Sequence, residues 1–95
     1  MDIAKSDVVR SAAGRDKGKY FFVLAVEGEM LLLADGKSRK VESPKRKKRR
    51  HVQFVAAEDS RVAEKIRSSE KITNSELRRA LAAYCREEGN QNQEG

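Results

Sequence analysis

The sequence predicts a small, mainly β domain, a barrel of about five short strands, followed by a C-terminal part made of one or two helices. Three observations predict this class. The chain has 95 residues, the size of one small domain. Short apolar segments alternate with glycine- and aspartate-containing turns over residues 1–57, as they do in small barrels. Over residues 77–85 the apolar positions instead recur at the spacing of a helix.

The first three strands follow one another early in the chain. Residues 8–11 are a short β-branched stretch, and a loop with two glycines follows them. Residues 19–26 are rich in aromatic and branched side chains, which favour strands. The charged turn 27–29 separates this segment from the apolar run 30–34. We therefore expect one strand in each of these three segments.

Two further strands complete the predicted barrel. The Asp-Gly pair at 35–36 is a hairpin signal, and residues 38–42 and 51–55 could each supply a strand after it. The single proline, Pro44, lies between these two segments, where an edge or a connection tolerates it. The barrel domain is therefore predicted over 1–57.

The segment 19–26 is apolar on both faces. A small barrel fills its interior from one face only, so another element has to cover the second face. The C-terminal helical part is the candidate, with the alternative that it meets a protein partner instead. The two apolar faces of the segment consist of Phe22, Leu24 and Val26 on one side and of Phe21, Val23 and Ala25 on the other.

The helical extension is predicted over 58–88. A short helix is a candidate within 59–68, and Thr73 and Glu76 fit a capping box at the start of a second helix. This helix is expected to stop at a glycine, where a polar, disordered tail over 89–95 begins. Its predicted apolar stripe consists of Leu77, Ala80, Leu81, Tyr84 and Cys85.

Composition excludes several classes of protein. Leu, Ile, Val and Phe make up 20 residues, too few for a large enzyme core with a buried cleft. No apolar run approaches the roughly 18 residues that span a bilayer, and the N-terminus lacks the pattern of a secretory signal. We therefore expect a cytoplasmic protein that does not enter a membrane. A single cysteine, Cys85, and a single histidine are too few for an internal disulfide or a zinc site.

The sequence does not match known catalytic motifs either. The loop 14–19 differs from nucleotide-binding phosphate loops, since three residues rather than four separate its glycines and no Ser or Thr follows its lysine. A serine triad would have only His51 as its base, and that residue follows six cations that disfavour its protonated form. We expect no catalysis, no metal and no cofactor.

Positive charge is concentrated in the first part of the chain. The net charge is +6; residues 1–56 hold 14 basic and 7 acidic side chains, whereas residues 57–95 hold 7 and 8. Residues 37–50 contain nine basic side chains and one acid, and six cations in a row occupy 45–50. Such a block repels itself unless a polyanion neutralises it, and nucleic acid is the usual partner. The alternative is a solvated basic loop that binds nothing specific.

The segment VVRSAAGRDKGK, which runs into the apolar strand, resembles a KOW motif. Together with an Asp-Gly turn and an Arg/Lys-rich fourth strand, it is similar to the KOW-type ribosomal proteins of archaeal and eukaryotic large subunits and to short bacterial RNA-binding proteins that look like them. The resemblance covers roughly residues 6–56. It implies an SH3-like barrel, RNA binding, association with ribosomes and no catalysis. Ser6 and Phe21 stand where many KOW segments have glycine, and Phe21 favours the ribosomal-protein-like branch over the transcription-factor type.

The predicted RNA contacts form two groups. Basic side chains in and beside the loop bounded by Gly14 and Gly18 could meet phosphates together with the loop's backbone N–H groups. The basic run 37–50 supplies the second group. The predicted RNA-binding residues are Arg15, Lys17, Lys19, Lys37, Arg39, Lys40, Lys45, Arg46, Lys47, Lys48, Arg49, Arg50 and His51.

Base stacking has few candidates in the sequence. Tyr20 and His51 lie near basic residues, with the alternatives of a rim tyrosine and an ordinary surface histidine, whereas Phe54 is expected in the core with the other phenylalanines. We expect a monomer whose partner is RNA, specifically ribosomal RNA of the large subunit. The alternative is an SH3-like protein-interaction module that meets its partner through the C-terminal helix.

Overall fold

The computed structural model describes residues 2–94, and it describes side chains as far as residue 85. Five strands form one sheet, and two helices follow them. The strands are β1 (Asp7–Ser11), β2 (Tyr20–Glu27), β3 (Met30–Ala34), β4 (Lys45–Lys48) and β5 (Val52–Ala57). A 3-10 turn (Arg49–His51) joins β4 to β5, and the helices are α1 (Arg61–Arg67) and α2 (Asn74–Glu94).

The sheet is antiparallel throughout and has the strand order β4-β3-β2-β1-β5. Strands β1 to β4 are neighbours in chain order, whereas β5 returns to pair with β1. Strands β4 and β5 therefore lie at the two edges of the sheet, and the 3-10 turn carries the chain from one edge to the other. The predicted class, mainly β with C-terminal helices, is confirmed.

One predicted strand was wrong. Residues 35–44 form a loop instead of containing a strand at 38–42, and the fourth strand, β4, consists of cations. The Asp35 carboxylate accepts hydrogen bonds from the backbone N–H groups of Lys37 (2.9 Å) and Arg39 (2.8 Å), and the Val41 N–H donates to the Asn74 side chain (2.8 Å). Because side chains occupy these donors, the segment does not contribute them to a sheet.

Gly36 brings this loop against the start of α2. Its φ is +77°, and a Cβ at this position would lie 2.3 Å from the backbone oxygen of Asn74. The Arg78 guanidinium donates to the Gly36 carbonyl at 2.5 Å. The loop is therefore docked on a helix that lies far along the chain, which the hairpin signal did not indicate.

The sheet has an apolar cluster on each face. The first cluster, called the inner cluster here, consists of Val9, Phe21, Val23, Leu31, Leu33 and Val52. The second joins sheet residues to the helical part and consists of Val8, Phe22, Ala34, Ile66, Ile72, Leu77 and Leu81. The prediction that the helical part covers the second face of the 19–26 segment is thus confirmed. The predicted alternation of β2 was wrong beyond Leu24, because a bulge there shifts the register. Val26 consequently pairs with Leu31 of the inner cluster instead of sharing a face with Phe22, and it is 42% exposed.

The capping box at the start of α2 is confirmed. The Thr73 N–H donates to Glu76 Oε1 (2.9 Å), and the Glu76 N–H donates to Thr73 Oγ1 (3.2 Å). The prediction that this helix ends at Gly89 was wrong, since α2 runs to Glu94. A glycine inside a helix destabilises it by about 1 kcal/mol but does not by itself end it. The predicted tail 89–95 lies outside the residues whose side chains the structure describes.

Cys85 is exposed, whereas the apolar stripe predicted partial burial. At about 100° per residue, position 85 lies about 80° around the helix from Leu77. It therefore lies at the margin of the stripe, beyond the part that packs on the sheet.

Candidate nucleic-acid interface

Strand β4 alternates between two environments. Lys45 and Lys47 turn toward the loop 12–19, where Lys47 Nζ lies 2.8 Å from Asp16 Oδ1 and Lys45 Nζ lies 2.9 Å from Asp16 Oδ2. The same carboxylate accepts from Ser11 Oγ (2.7 Å), and Lys47 Nζ also donates to the Ala13 carbonyl (2.7 Å). Lys47 is 7% exposed and Asp16 is 8% exposed, so this is a buried ion cluster.

The cluster keeps Asp16 ionised. Burial alone would raise the pKa of this carboxyl, but the hydrogen bonds from Lys47, Lys45 and Ser11 hold its pKa far below the ordinary range. Its negative charge therefore neutralises the enclosed Lys47 ammonium, and the more exposed Lys45 shares the same carboxylate. We assign Lys47 to the fold rather than to the candidate RNA contacts, because its ammonium is enclosed and bonded on two sides.

The other side of β4 faces solvent. The side chain of Arg46 is 63% exposed and lies 3.5 Å from Glu27, an exposed pair of the kind that contributes little to stability. Lys48 is exposed as well, and Arg50 is exposed in the 3-10 turn. Half-buried His51 ends that turn. The run of six cations thus divides into members that hold the fold and members that remain available at the surface.

The loop 12–19 presents basic side chains to solvent, whereas several of its backbone N–H groups are bonded within the protein. The backbone N–H groups of Lys17, Gly18 and Lys19 donate to carbonyls of the same loop and of β1. These three N–H groups are therefore not available for the phosphate contact that the sequence predicted. Positive φ angles at Gly14 (+85°) and Gly18 (+92°) permit this closed conformation. Arg15, Lys17 and Lys19 are exposed.

A cavity of about 650 Å³ lies where the start of β3, the 3-10 turn and β5 meet. We call it the aromatic groove. Its lining combines an apolar part with a charged rim. The apolar residues are Ile3, Met30, Val52 and Phe54, and the charged residues are Glu29, Lys48, Arg49 and Arg50.

Phe54 supplies the aromatic ring in the lining of this groove. It is 37% exposed, so its predicted place in the core was wrong. It pairs with Val9 of β1 on one side, and because β5 is an edge strand, no further described strand pairs with it on the other side. The sequence signal that points to it is its place four residues after Arg50, at the end of a dense cation run and on the strand that follows it.

Two cations on the rim have no ion-pair partner among the side chains that the structure describes. Arg49 pairs with Asp2 at 2.6 Å, whereas neither Lys48 nor Arg50 forms an ion pair with any carboxylate whose side chain the structure describes. Glu29 is the one carboxylate among the described residues of the lining. Positive charge therefore predominates beside the exposed ring of Phe54.

A second cavity, of about 490 Å³, lies between two loops and α2. It brings the predicted contacts Lys19 and Lys37 to one place. The Tyr20 ring also lines it but is stacked on Tyr84, with centroids 5.9 Å apart and planes at 30°, so one of its faces is already covered. The remaining predicted contacts, Arg39 and Lys40, are exposed in the loop 35–44.

Among the described residues, no group of three or more His, Cys, Asp or Glu side chains is placed to hold a metal ion. In the same part of the chain, no helix has both the length and the apolar character to cross a bilayer. No protein-family model matches this sequence, and comparison with curated proteins finds no significant match.

Proposed function

We propose that this protein is a non-catalytic RNA-binding protein of the KOW type, with an SH3-like barrel, which associates with the large ribosomal subunit in the cytoplasm. The observation that carries the proposal is the juxtaposition of Lys48 and Arg50 with the exposed ring of Phe54. Neither cation has a carboxylate partner among the described side chains. RNA presents both chemistries that such a surface recognises, an anionic backbone and flat apolar bases.

The barrel is supported by the strand order. Strand β5 returns to β1, and the 3-10 turn joins the two edge strands over a short distance in sequence. The inner cluster lies on the face that such a curved sheet would enclose, while α1 and α2 pack on the other face.

The exposed cations supply the electrostatic part of binding. Guanidinium groups can contact phosphates through two hydrogen bonds, and each neutralised phosphate releases counterions, which makes the affinity depend on salt. With Lys47 and half-buried Lys45 engaged by Asp16, the candidate contacts are Arg15, Lys17, Lys19, Lys37, Arg39, Lys40, Arg46, Lys48, Arg49, Arg50 and His51.

The alternative, a protein-interaction module that uses the C-terminal helix, lacks a comparable observation. Leu77 and Leu81 are buried against the sheet, so the apolar face of α2 is occupied within the molecule as far as the side chains are described.

The experiment that tests the proposal is co-sedimentation of the tagged protein with ribosomes on sucrose gradients, at low and high salt, with and without ribonuclease. We expect migration with the large subunit at low salt and loss of that association at high salt. The variant R46A/K48A/R50A should lose it at low salt. A matched control, R61A/K71A/R79A, removes the same charge from exposed positions elsewhere and should still co-sediment. Wild-type protein that stays at the top of the gradient at low salt would contradict ribosome association.

A further inference from the structure

We infer that the aromatic groove binds an unpaired RNA nucleotide, with the base against Phe54 and the adjoining phosphates at Lys48 and Arg50. The RNA that this protein selects is then single-stranded or looped rather than a continuous duplex. This inference rests on the proposed RNA binding and names the class of RNA and the place where it is read.

The shape and lining of the groove fit a base. Its volume of about 650 Å³ falls within the range of about 300–1,000 Å³ that is typical of ligand pockets. Its apolar residues come from three separate segments, the N-terminal stretch, β3 and β5, and they line the same cavity as the exposed Phe54 side chain. A flat apolar ligand that enters between them removes this surface from water.

An intact duplex cannot use such a surface. In an A-form helix the base faces are stacked on one another, and proteins reach mainly the phosphates, the 2′-hydroxyls and the base edges of the shallow groove. An unpaired base exposes a face that can stack on a phenylalanine ring. The exposed ring of Phe54 therefore selects unpaired nucleotides, whereas the cations alone would accept either form.

The charges around the groove favour a nucleic acid over an apolar peptide. Three of the four charged residues in its lining are cations, and Lys48 and Arg50 have no carboxylate partner among the described side chains. Arg49 is held by Asp2, so we expect it to contribute less than its two neighbours. An aromatic ring flanked by such cations matches the alternation of base and phosphate along a single strand.

The experiment is fluorescence anisotropy with two labelled probes, an oligouridine of about 12 nucleotides, which stays unstructured, and an RNA duplex of similar length. Wild-type protein should bind the single strand more tightly than the duplex. Phe54→Ala should weaken binding of the single strand by about 5- to 150-fold, the usual effect of losing one stacked base, and leave duplex binding unchanged. Phe54→Tyr keeps a ring and should retain the affinity within about twofold.

Two controls separate stacking from other effects. Gln53 is exposed on the same strand, and Gln53→Ala should change neither affinity. K48A/R50A should weaken binding of both probes, because it removes phosphate contacts rather than the ring. If Phe54→Ala lowers the melting temperature enough to unfold the protein, Phe54→Leu keeps the apolar bulk without the ring, and we expect the same selective loss.

The outcomes distinguish this inference from the proposed function. If wild-type protein binds both probes equally and the Phe54 variants change neither affinity, RNA binding stands and the assignment of the groove is overturned. If wild-type protein binds neither probe at low salt, or an oligoglutamate of equal charge displaces the single strand as well as RNA does, the specific RNA binding proposed above fails, and the inference fails with it.

Discussion

Asp16 joins two parts of the chain that are distant in sequence, the loop 12–19 and strand β4. The Lys47 ammonium is enclosed with it and has one carboxylate as counter-charge. When one partner of such a buried pair is removed, the other charge remains in the interior, and this costs more than the intact pair contributes. At the scale of single residues, the position of strand β4 therefore depends on the carboxylate of Asp16.

Asp16→Asn should lower the free energy of unfolding by about 3 kcal/mol, because the amide cannot neutralise Lys47. Denaturant unfolding followed by circular dichroism measures the change. The double variant D16N/K47M removes both charges, and we expect it to recover part of the loss. Wild-type stability in Asp16→Asn would show that the ion cluster does not hold β4 in place.

The contribution of Asp16 should also depend on pH. Burial acts to raise its pKa, but the bonds from Lys47, Lys45 and Ser11 prevail, so the folded-state pKa lies below the unfolded value of about 3.9. The ionised form is favoured by folding; its contribution is complete at neutral pH and is lost progressively below about pH 5. The difference in unfolding free energy between wild type and Asp16→Asn should therefore shrink between about pH 7 and about pH 3. A difference that is constant over this interval would contradict the assignment.

Gly36 offers a matched pair of substitutions with Gly28. Both have positive φ, but a Cβ at Gly36 would meet the Asn74 backbone at 2.3 Å, whereas a Cβ at Gly28 has nothing within 4 Å. Gly28→Ala should lower the unfolding free energy by about 1 kcal/mol, the cost of the left-handed conformation alone. Gly36→Ala should cost clearly more, because the loop must move off α2. Equal denaturant midpoints for the two variants would refute this close approach.

At the scale of elements, β4 is a strand because of its partners. Lysine and arginine have little preference for strands, yet Lys47 pairs with Leu31 of β3 and its side chain reaches Asp16. Edge strands that carry lysine also resist pairing with other molecules. The helical part shows the same dependence on context, since α2 is stabilised through the face that contains Leu77 and Leu81.

Leu81→Asp should lower the free energy of unfolding by more than about 3 kcal/mol, because it places a carboxylate in the cluster between α2 and the sheet. Ala83→Asp introduces the same side chain at an exposed position of the same helix and should change stability by less than about 1 kcal/mol. Thermal unfolding measures both. An unaltered melting temperature for Leu81→Asp would mean that the helix is free for a partner.

At the scale of the whole molecule, charge is divided between two regions. Residues 1–56 carry the excess of cations, and residues 57–95 are nearly neutral. In the fold, the sheet and its loops therefore hold the excess of cations, while the helical part supplies much of the packing on one face. This division lets the sheet side attract a polyanion without placing the charge excess on the helices.

Salt dependence tests this arrangement. If about five to eight phosphates are neutralised, the logarithm of the affinity for single-stranded RNA should fall with the logarithm of salt with a slope of about −3.5 to −5.6. R46A/K48A/R50A should reduce the magnitude of the slope by about 2, since it removes three contacts. The control R61A/K71A/R79A should leave the slope unchanged. A wild-type affinity that does not vary with salt would remove phosphate contacts from the mechanism.

Sequence patterns predicted the structure correctly where the residues that determine an element are close together in the chain. The strands β1, β2, β3 and β5 lie within two residues of their predicted bounds, because β-branched and aromatic runs between glycine turns are a short-range signal. The capping box that begins at Thr73 is likewise recognised from four consecutive residues. Even the helical cover on the second face followed from local sequence, since both faces of one strand were apolar.

The chain by itself thus determined the class of fold, the order of most elements and the place of its positive charge. Only the tertiary structure decided which cations serve the fold, why 35–44 is a loop, and that Phe54 is exposed. Each of these depends on a partner distant in sequence: Asp16 for Lys47, Asn74 for Val41, and an uncovered sheet edge for Phe54. Propensity and periodicity act over a few neighbouring residues, whereas burial and charge pairing are set by the elements that meet in space.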